Sequence, residues 1–371
     1  MTEFTGPLAA GFTTVATGFN ARIALQNAEG GVNGRQIKVV TGDTQSSTTG
    51  ALTAAQTLNG KNIFATGAVS VFTFAAEPYL LQQNIPVVGT ALDGPEWSPP
   101  NNNMFPTGGS PSSAFPAPAT VGVFFKQQGA TNVGVIGVNV PSAVAAAKNV
   151  QVSAERAGLK STYLNATIPV TQAGNFGSIV QAMMQQHVDG VFIEMEPTAN
   201  FAFMEAAQQA GMKAVYLQSI TPPVQVFQNA QARATAQNTW ATDPWTPTSL
   251  NTPGNKAFLA ALATYAHQTT PPDLNEIDGW AAASAIVKGL QAAGQNPTRA
   301  SFQTGLRAVN NFTADGLAIT PNSFTASFGK SAEGPGPAPD ACYWYGQYKG
   351  TQYVWQSKPI CGGILPNSNA G

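Results

Sequence analysis

Charge is what this chain has least of. Only 9% of its 371 residues are Asp, Glu, Lys or Arg, and the net charge is −1; an ordinary soluble domain carries roughly a quarter. No basic block exists that could neutralise a row of phosphates, which excludes the usual electrostatics of nucleic-acid binding. Histidine is nearly absent: His187 and His267 are the only two, and neither stands at a metal or triad spacing. No metal and no cofactor is expected. There is no GxxxxGK[ST] phosphate loop and no GxSxG elbow, and "GGVNG" follows a helical pattern instead of a strand. No run approaches the roughly 18–20 apolar residues of a membrane span.

What is present is enough apolar material, 43% of the chain, for a sizeable core, and a length that allows two or three domains. The two cysteines, Cys342 and Cys361, bracket "CYWYGQYKGTQYVWQSKPIC". That segment reads as two aromatic strands joined by a turn at Lys349-Gly350, a hairpin that brings its ends together. A Cys342–Cys361 disulfide is the favoured reading and points to an exported protein; two free core thiols are the alternative that spacing leaves open. No signal peptide is visible. Met1 opens directly on "TEFTGPLAAG", so a processed, truncated or engineered form is expected.

Helical and strand patterns alternate along the chain. Val15, Phe19 and Ile23 share one face of a helix that Gly30-Gly31 stop. "RQIKVVTGD" reads as a strand, "ALTAAQTLNG" as a helix, "NIFATG" as a strand, "FTFAAEPYLLQQ" as a helix and "IPVVGT" as a strand. Such βα units predict a parallel sheet covered by helices. "SPPNNNMFPTGGSPSSAFPAPA" interrupts the rhythm and reads as a crossing between domains. The alternation resumes from "TVGVFFKQQG" to "KAVYLQS", and the polar "NTWATDPWTPTSLNTPG" reads as a second crossing. Helices around Phe258–His267 and Trp280–Ala293 follow, and the aromatic hairpin closes the chain.

Ligands of open parallel sheets bind beyond the carboxyl ends of the strands. That places candidates at Ser70, at Thr90 to Asp93, at Asn139 to Ser142, at Glu194 to Asn200 and at Gln218 to Thr221. Within these, "FIEMEP" sets Glu194 and Glu196 two apart. A glycosidase-like acid/base pair normally comes from separate strands, and two desolvated neighbours would repel. No further catalytic group is supplied, so a carboxylate-dependent hydrolase is the weakest reading and no enzyme activity is expected.

The opening "TGPLAAGFTTVATGFNARIALQNAEGGVNGRQIKVVTGDTQS" resembles that of the leucine/isoleucine/valine-binding protein family, the type I solute-binding proteins of ABC importers. "GAVSVFTFAAEPYLLQQNIPVVGT", "QAGNFGSIVQAMMQQHVDGVFI" and "AFMEAAQQAGMKAVYLQS" are similar to later family segments, in order, over nearly the whole chain. The resemblance implies an α/β fold of two Rossmann-like lobes with parallel sheets joined by three crossings. Residues 1–118 plus 245–318 would form lobe 1 and residues 119–244 plus 319–371 lobe 2. It implies a ligand cleft between lobes, capture of a small organic ligand, a membrane permease as partner, an extracytoplasmic location and a monomer. A ligand-sensing domain of a receptor is the alternative from the same family.

Position by position, the family's ligand-contacting serine falls on Ser70, and its alanine–threonine loop on Thr90, Ala91 and Leu92. Leu92 stands where a threonine is usual. A ligand-packing aromatic falls on Phe12, or on Gly11 in a shifted register. Two family tyrosines fall near Ser142 and on Glu196, and an aromatic of the late helix on Trp280. The acidic residue that grips an amino acid's ammonium falls on Ile220, which argues against a branched-chain amino acid unless Glu196 replaces it. Glu194 or Glu196 could instead accept from a hydroxyl or amide ligand, and an apolar or aromatic compound fits Phe12, Leu92, Ile220 and Trp280. The family also places a strand before TGPLA, so residues upstream of Met1 are expected.

Overall fold

The computed structural model describes residues 1–92, 95–97, 103–109, 118–172, 174–325, 340–363 and 365. The chain divides into two units, Met1–Gly109 with Trp245–Ala338 and Ser110–Pro244 with Pro339–Gly371. It therefore passes between units three times, at 109/110, 244/245 and 338/339.

The first unit opens with α1 (Ala9–Phe12), α2 (Val15–Ala28), α3 (Thr48–Gly60), β1 (Thr66–Ala68), α4 (Thr73–Gln82), β2 (Val87–Ala91) and β3 (Met104–Gly109). The three strands form a parallel sheet in the order β1-β2-β3. β3 lies inside the segment expected to be a pure crossing. Pro106, Gly108 and Gly109 hide it in the sequence, but an edge strand tolerates proline, and a bulge after Gly89 pairs Thr90 with Gly108. The expected strand "RQIKVVTGD" carries no ladder. A strand needs a partner along its length, and this segment has one only at its end. There Thr2 N–H donates to Gly42 O and Thr44 N–H to Thr2 O.

The second unit follows with α5 (Thr120–Gln127), β4 (Asn132–Val138), α6 (Pro141–Arg156), β5 (Lys160–Ile168), α7 (Gly177–Gln185), β6 (Gly190–Glu194), α8 (Pro197–Gln209), β7 (Val215–Gln218), α9 (Ala230–Ala236) and β8 (Trp240–Asp243). The chain then returns to the first unit for α10 (Pro253–Tyr265), α11 (Leu274–Ala293) and α12 (Arg299–Arg307). It ends in the second unit with β9 (Asp340–Lys349), β10 (Gln352–Trp355) and β11 (Ile360–Gly363).

In the first unit α2 lies directly against α11 through two glycines. A Cβ on Gly18 would fall 1.8 Å from Glu276 O, and one on Gly279 2.0 Å from Val15 O. Only residues without a side chain permit that approach. α11 starts six residues before the expected Trp280, because Asp273 and Glu276 form a reciprocal capping box. The unit also extends past 318. Phe312 bridges Asn322, whose amide donates to Pro106 O at 2.6 Å, and Phe324 packs on Phe105 and Phe312. Residues 319–325 thus belong here and not to the second lobe as expected.

The second unit is one sheet in the order β10-β9-β8-β7-β6-β4-β5, with β11 beside β9. β4 to β8 run parallel; β9 returns antiparallel on β8. β8 occupies the first part of the segment expected to be the second crossing, and the passage itself falls within that segment, between Pro244 and Trp245. The expected hairpin is formed by β9 and β10, its turn at residues 350–351, one residue beyond the expected Lys349-Gly350, and β11 pairs with the start of β9. That register sets Cys361 opposite Cys342, and the two form a disulfide. Phe124 of α5 stacks on Tyr345 at 4.3 Å, which ties the hairpin into the core.

Candidate functional site

In the first unit the strand ends are organised by carboxylates the sequence did not single out. Asp43 accepts backbone N–H bonds from Phe4, Thr5 and Gln45 and the Thr5 hydroxyl at 2.7 Å. Burial alone would raise its pKa, but these bonds hold it below the ordinary carboxylate value. Ser46 fixes the same "TGPLA" loop, accepting from Leu8 N–H and donating to Thr5 O. Glu3, completely buried, accepts the Ser70 hydroxyl at 2.8 Å and Val71 N–H at 3.0 Å on one oxygen. Ser70 Oγ in turn accepts from Phe72 N–H.

Of the other expected residues in this unit, Thr90 and Ala91 are buried at the end of β2 and Leu92 is half-buried. Phe12 is half-buried at the end of α1, and its carbonyl accepts from Thr2 Oγ1. Trp280 is 1% exposed. It meets Phe258 edge-on at 5.0 Å, and the Arg22 guanidinium lies 5.7 Å from its ring centre. Trp280 is thus a buried side chain packed among residues of its own unit.

Beneath these strand ends α11 buries three carboxyls. Asp278 accepts from Trp245 Nε1 at 2.8 Å, with the Thr90 hydroxyl beside it outside good hydrogen-bond geometry. Burial pushes Asp278 up to about 7 against the effect of the Trp245 bond. Asp273 accepts from Thr14 and Glu276 N–H, and Glu276 from Asp273 N–H and Gln268. Burial raises both, and the neighbouring Asp273 raises Glu276 further. Arg22 and Asp315 form an ion pair at 2.6 Å in the same unit, and Ser284 donates to the same Asp315 oxygen.

In the second unit Glu196 is the N-cap of α8. Its carboxylate accepts Thr198 N–H at 3.0 Å and Ala199 N–H at 2.7 Å. The side chain read from the sequence as a polar selector is therefore employed by its own helix. Glu194 ends β6, half-buried, in register with Gly137 of β4. Ser142 is buried at the second position of α6, after Pro141. Ile220 is half-buried just past β7. A polar relay that the sequence did not suggest runs alongside: Asn200 donates to Gln218, and Gln218 to the Tyr353 hydroxyl at 3.2 Å. His187 and His267 are exposed, and among the described residues no group of acidic, histidine or cysteine side chains could hold a metal.

A cavity of about 410 Å³ lies elsewhere in the first unit, lined by Phe19, Ile23, Ile37, Val39, Phe64 and Leu290 among others, and includes none of the expected ligand residues. Among the described residues no helix is long and apolar enough to cross a membrane.

The arrangement can be set beside known proteins. No curated protein sequence matches significantly. The structure is similar to a branched-chain amino acid ABC transporter protein from Thermus thermophilus with bound valine, at 15% identity and a TM-score of 0.80, covering 100% of this chain and 97% of that one. It is also similar to a fatty acid ABC transporter substrate-binding protein from Thermomonospora curvata, at 18% identity and 0.77, covering 100% and 92%. A third likeness is to an ABC transporter solute-binding protein from R. palustris in complex with benzoate, at 16% identity and 0.76, covering 99% and 96%. At such identities the likeness carries the fold alone, the two-unit α/β architecture of type I binding proteins. The sequence carries the rest: residues 1–350 match the profile of the Periplasmic binding protein family, almost the whole of both units, and the chain belongs to that family.

Proposed function

We propose that the chain is the solute-binding component of an ABC importer, working outside the cytoplasm as a monomer and handing a small organic molecule to a membrane permease. The observation that carries this reading is the extent of the family match, which runs across both units and all three passages between them. A solute that touches the strand ends of both units favours whichever arrangement of them lets it do so, by its differential affinity. The proteins with similar structures are named for valine, fatty acid and benzoate, which frames the size of the solute. The candidate contacts are Ser70, Thr90, Ala91, Leu92 and Phe12 in the first unit and Ser142, Glu194 and Ile220 in the second. Nothing in this reading transforms the solute. The Cys342–Cys361 disulfide supports an oxidising location.

The test is a thermal-shift screen across amino acids, amides, polyols and aromatic or fatty acids, followed by calorimetry and recovery of the solute. A true solute at 100 times its Kd should stabilise the protein by about 2.7 kcal/mol and be recovered unchanged. Turnover of the bound molecule would overturn the reading.

A further inference from the structure

The Ser70 loop follows the carboxyl end of β1, the end at which parallel sheets bind their ligands, and it carries hydrogen-bond donors of the kind a carboxylate takes. Those donors are already used. Ser70 has one hydroxyl proton, and it goes to Glu3 at 2.8 Å. The Val71 N–H points at the same Glu3 oxygen at 3.0 Å. What remains to Ser70 Oγ is acceptor capacity only, and Phe72 N–H uses part of it at 3.1 Å. Glu3 and Ser70 are both 0% exposed. Thr73 Oγ1 holds the loop from below by donating to Ser70 O. The loop is therefore built and held as a carboxylate cradle, with a carboxylate from 67 residues away in it.

We propose that Glu3 fills, from within the chain, the place on the Ser70 loop that a solute carboxylate would take, and so selects against carboxylate solutes. The solute meets the first unit with an uncharged or cationic hydrogen-bond donor: an amide, a hydroxyl or an amine. The inference rests on the solute-binding reading above and narrows its ligand class. The physical reason is twofold. A second carboxylate would find no free donor on the loop, and it would sit within a few ångströms of a like charge, where both cannot ionise without large cost. A solute that presents a hydroxyl, amide or amine brings no such like charge and does not compete with Glu3 for these donors.

The experiment is calorimetric titration of the full chain with matched pairs: valine against valinamide, and benzoate against benzamide. Wild type should favour the amide member of a pair by tenfold or more. Glu3→Ala and Glu3→Gln should each raise affinity for the carboxylate member at least tenfold, and adding Ser70→Ala to Glu3→Ala should remove that gain. Circular dichroism establishes folding; if Glu3→Ala does not fold, the near-isosteric Glu3→Gln carries the comparison. A wild type that prefers valine or benzoate to its amide overturns the proposal, as do folded Glu3 variants that gain no carboxylate affinity. Failure of the solute-binding reading looks different. Then nothing in a broad screen shifts the wild-type melt, while titration of Glu3→Ala with formate still reports whether the emptied loop takes an anion.

Discussion

Each unit has a glutamate near its strand ends, and the two are used in opposite ways. Glu196 of the second unit turns back on its own backbone and caps α8 through contacts two and three residues away. Glu3 of the first unit reaches across the sequence to the Ser70 loop. A local cap stabilises a helix and leaves the surrounding surface as it was. A long-range carboxylate in a donor loop changes what that loop can bind. The contrast extends to the rest of each unit. The first buries three carboxyls on or at the start of one helix, whereas the second keeps Asp189 charged by giving it Thr131 and Asn132 as donors, which hold its pKa low against the effect of burial.

The comparison can be pressed hardest at the cores. Trp280→Ala in the first unit should cost roughly 3–5 kcal/mol, measured by denaturant unfolding, because the indole is enclosed by Phe258 and Arg22. Trp280→Phe should recover much of that stability and leave solute affinity unchanged. A variant that loses affinity while keeping its stability would return Trp280 to the binding surface. Next in size, serine at both Cys342 and Cys361 opens a loop of 19 residues in the second unit. The expected loss is about 3 kcal/mol by the loop-entropy argument, read as a lower melting midpoint that reducing agent no longer changes.

These predictions rest on features of uneven visibility in the sequence. The βα rhythm showed wherever apolar periodicity was uninterrupted, as in "VGVIGV" and "VDGVFIEM". β3 did not show, since Pro106 and Gly108 carry the marks of a loop and an edge position is what tolerates them. β8 did not show either, since Trp240–Asp243 is half polar and takes its place from β7 and β9 on its flanks. The start of α11 was legible in principle: Asp273 and Glu276 stand at the spacing of a capping box. The family resemblance brought Ser70 into view, but the partner of Ser70 could not be read locally. Nothing near "MTEF" announces that Glu3 will meet a serine 67 residues on.

A third prediction separates the units by pH. Burial holds Asp273, Glu276 and Asp278 of the first unit above their ordinary values, Asp278 at about 7. Between about pH 4 and 7 the unfolded chain has released the Asp278 proton while the folded chain keeps it. Stability therefore falls as pH rises through that window. Asp278→Asn keeps an acceptor for Trp245 Nε1 and removes the titration. Its melting midpoint should depend less on pH between 4 and 7 than that of the wild type. An unchanged slope would mean that the carboxyl titrates normally. Asp189 works in the reverse sense, its contribution being lost only as pH falls through its lowered pKa.

The smallest effect is the most discriminating. Glu196→Ala removes the acceptor for Thr198 and Ala199 N–H at the start of α8. The expected loss is about 1 kcal/mol, the usual size for an N-cap, and Glu196→Asp or Glu196→Ser should restore part of it. If capping is all that Glu196 does, solute affinity stays within about twofold of wild type when measured well below the melting midpoint. A tenfold loss of affinity with no change in stability would show the opposite, that the carboxylate leaves the helix to meet the solute. The contrast with Glu3 would then collapse, for both units would meet the solute with a glutamate, and the class of solute would shift further towards cations.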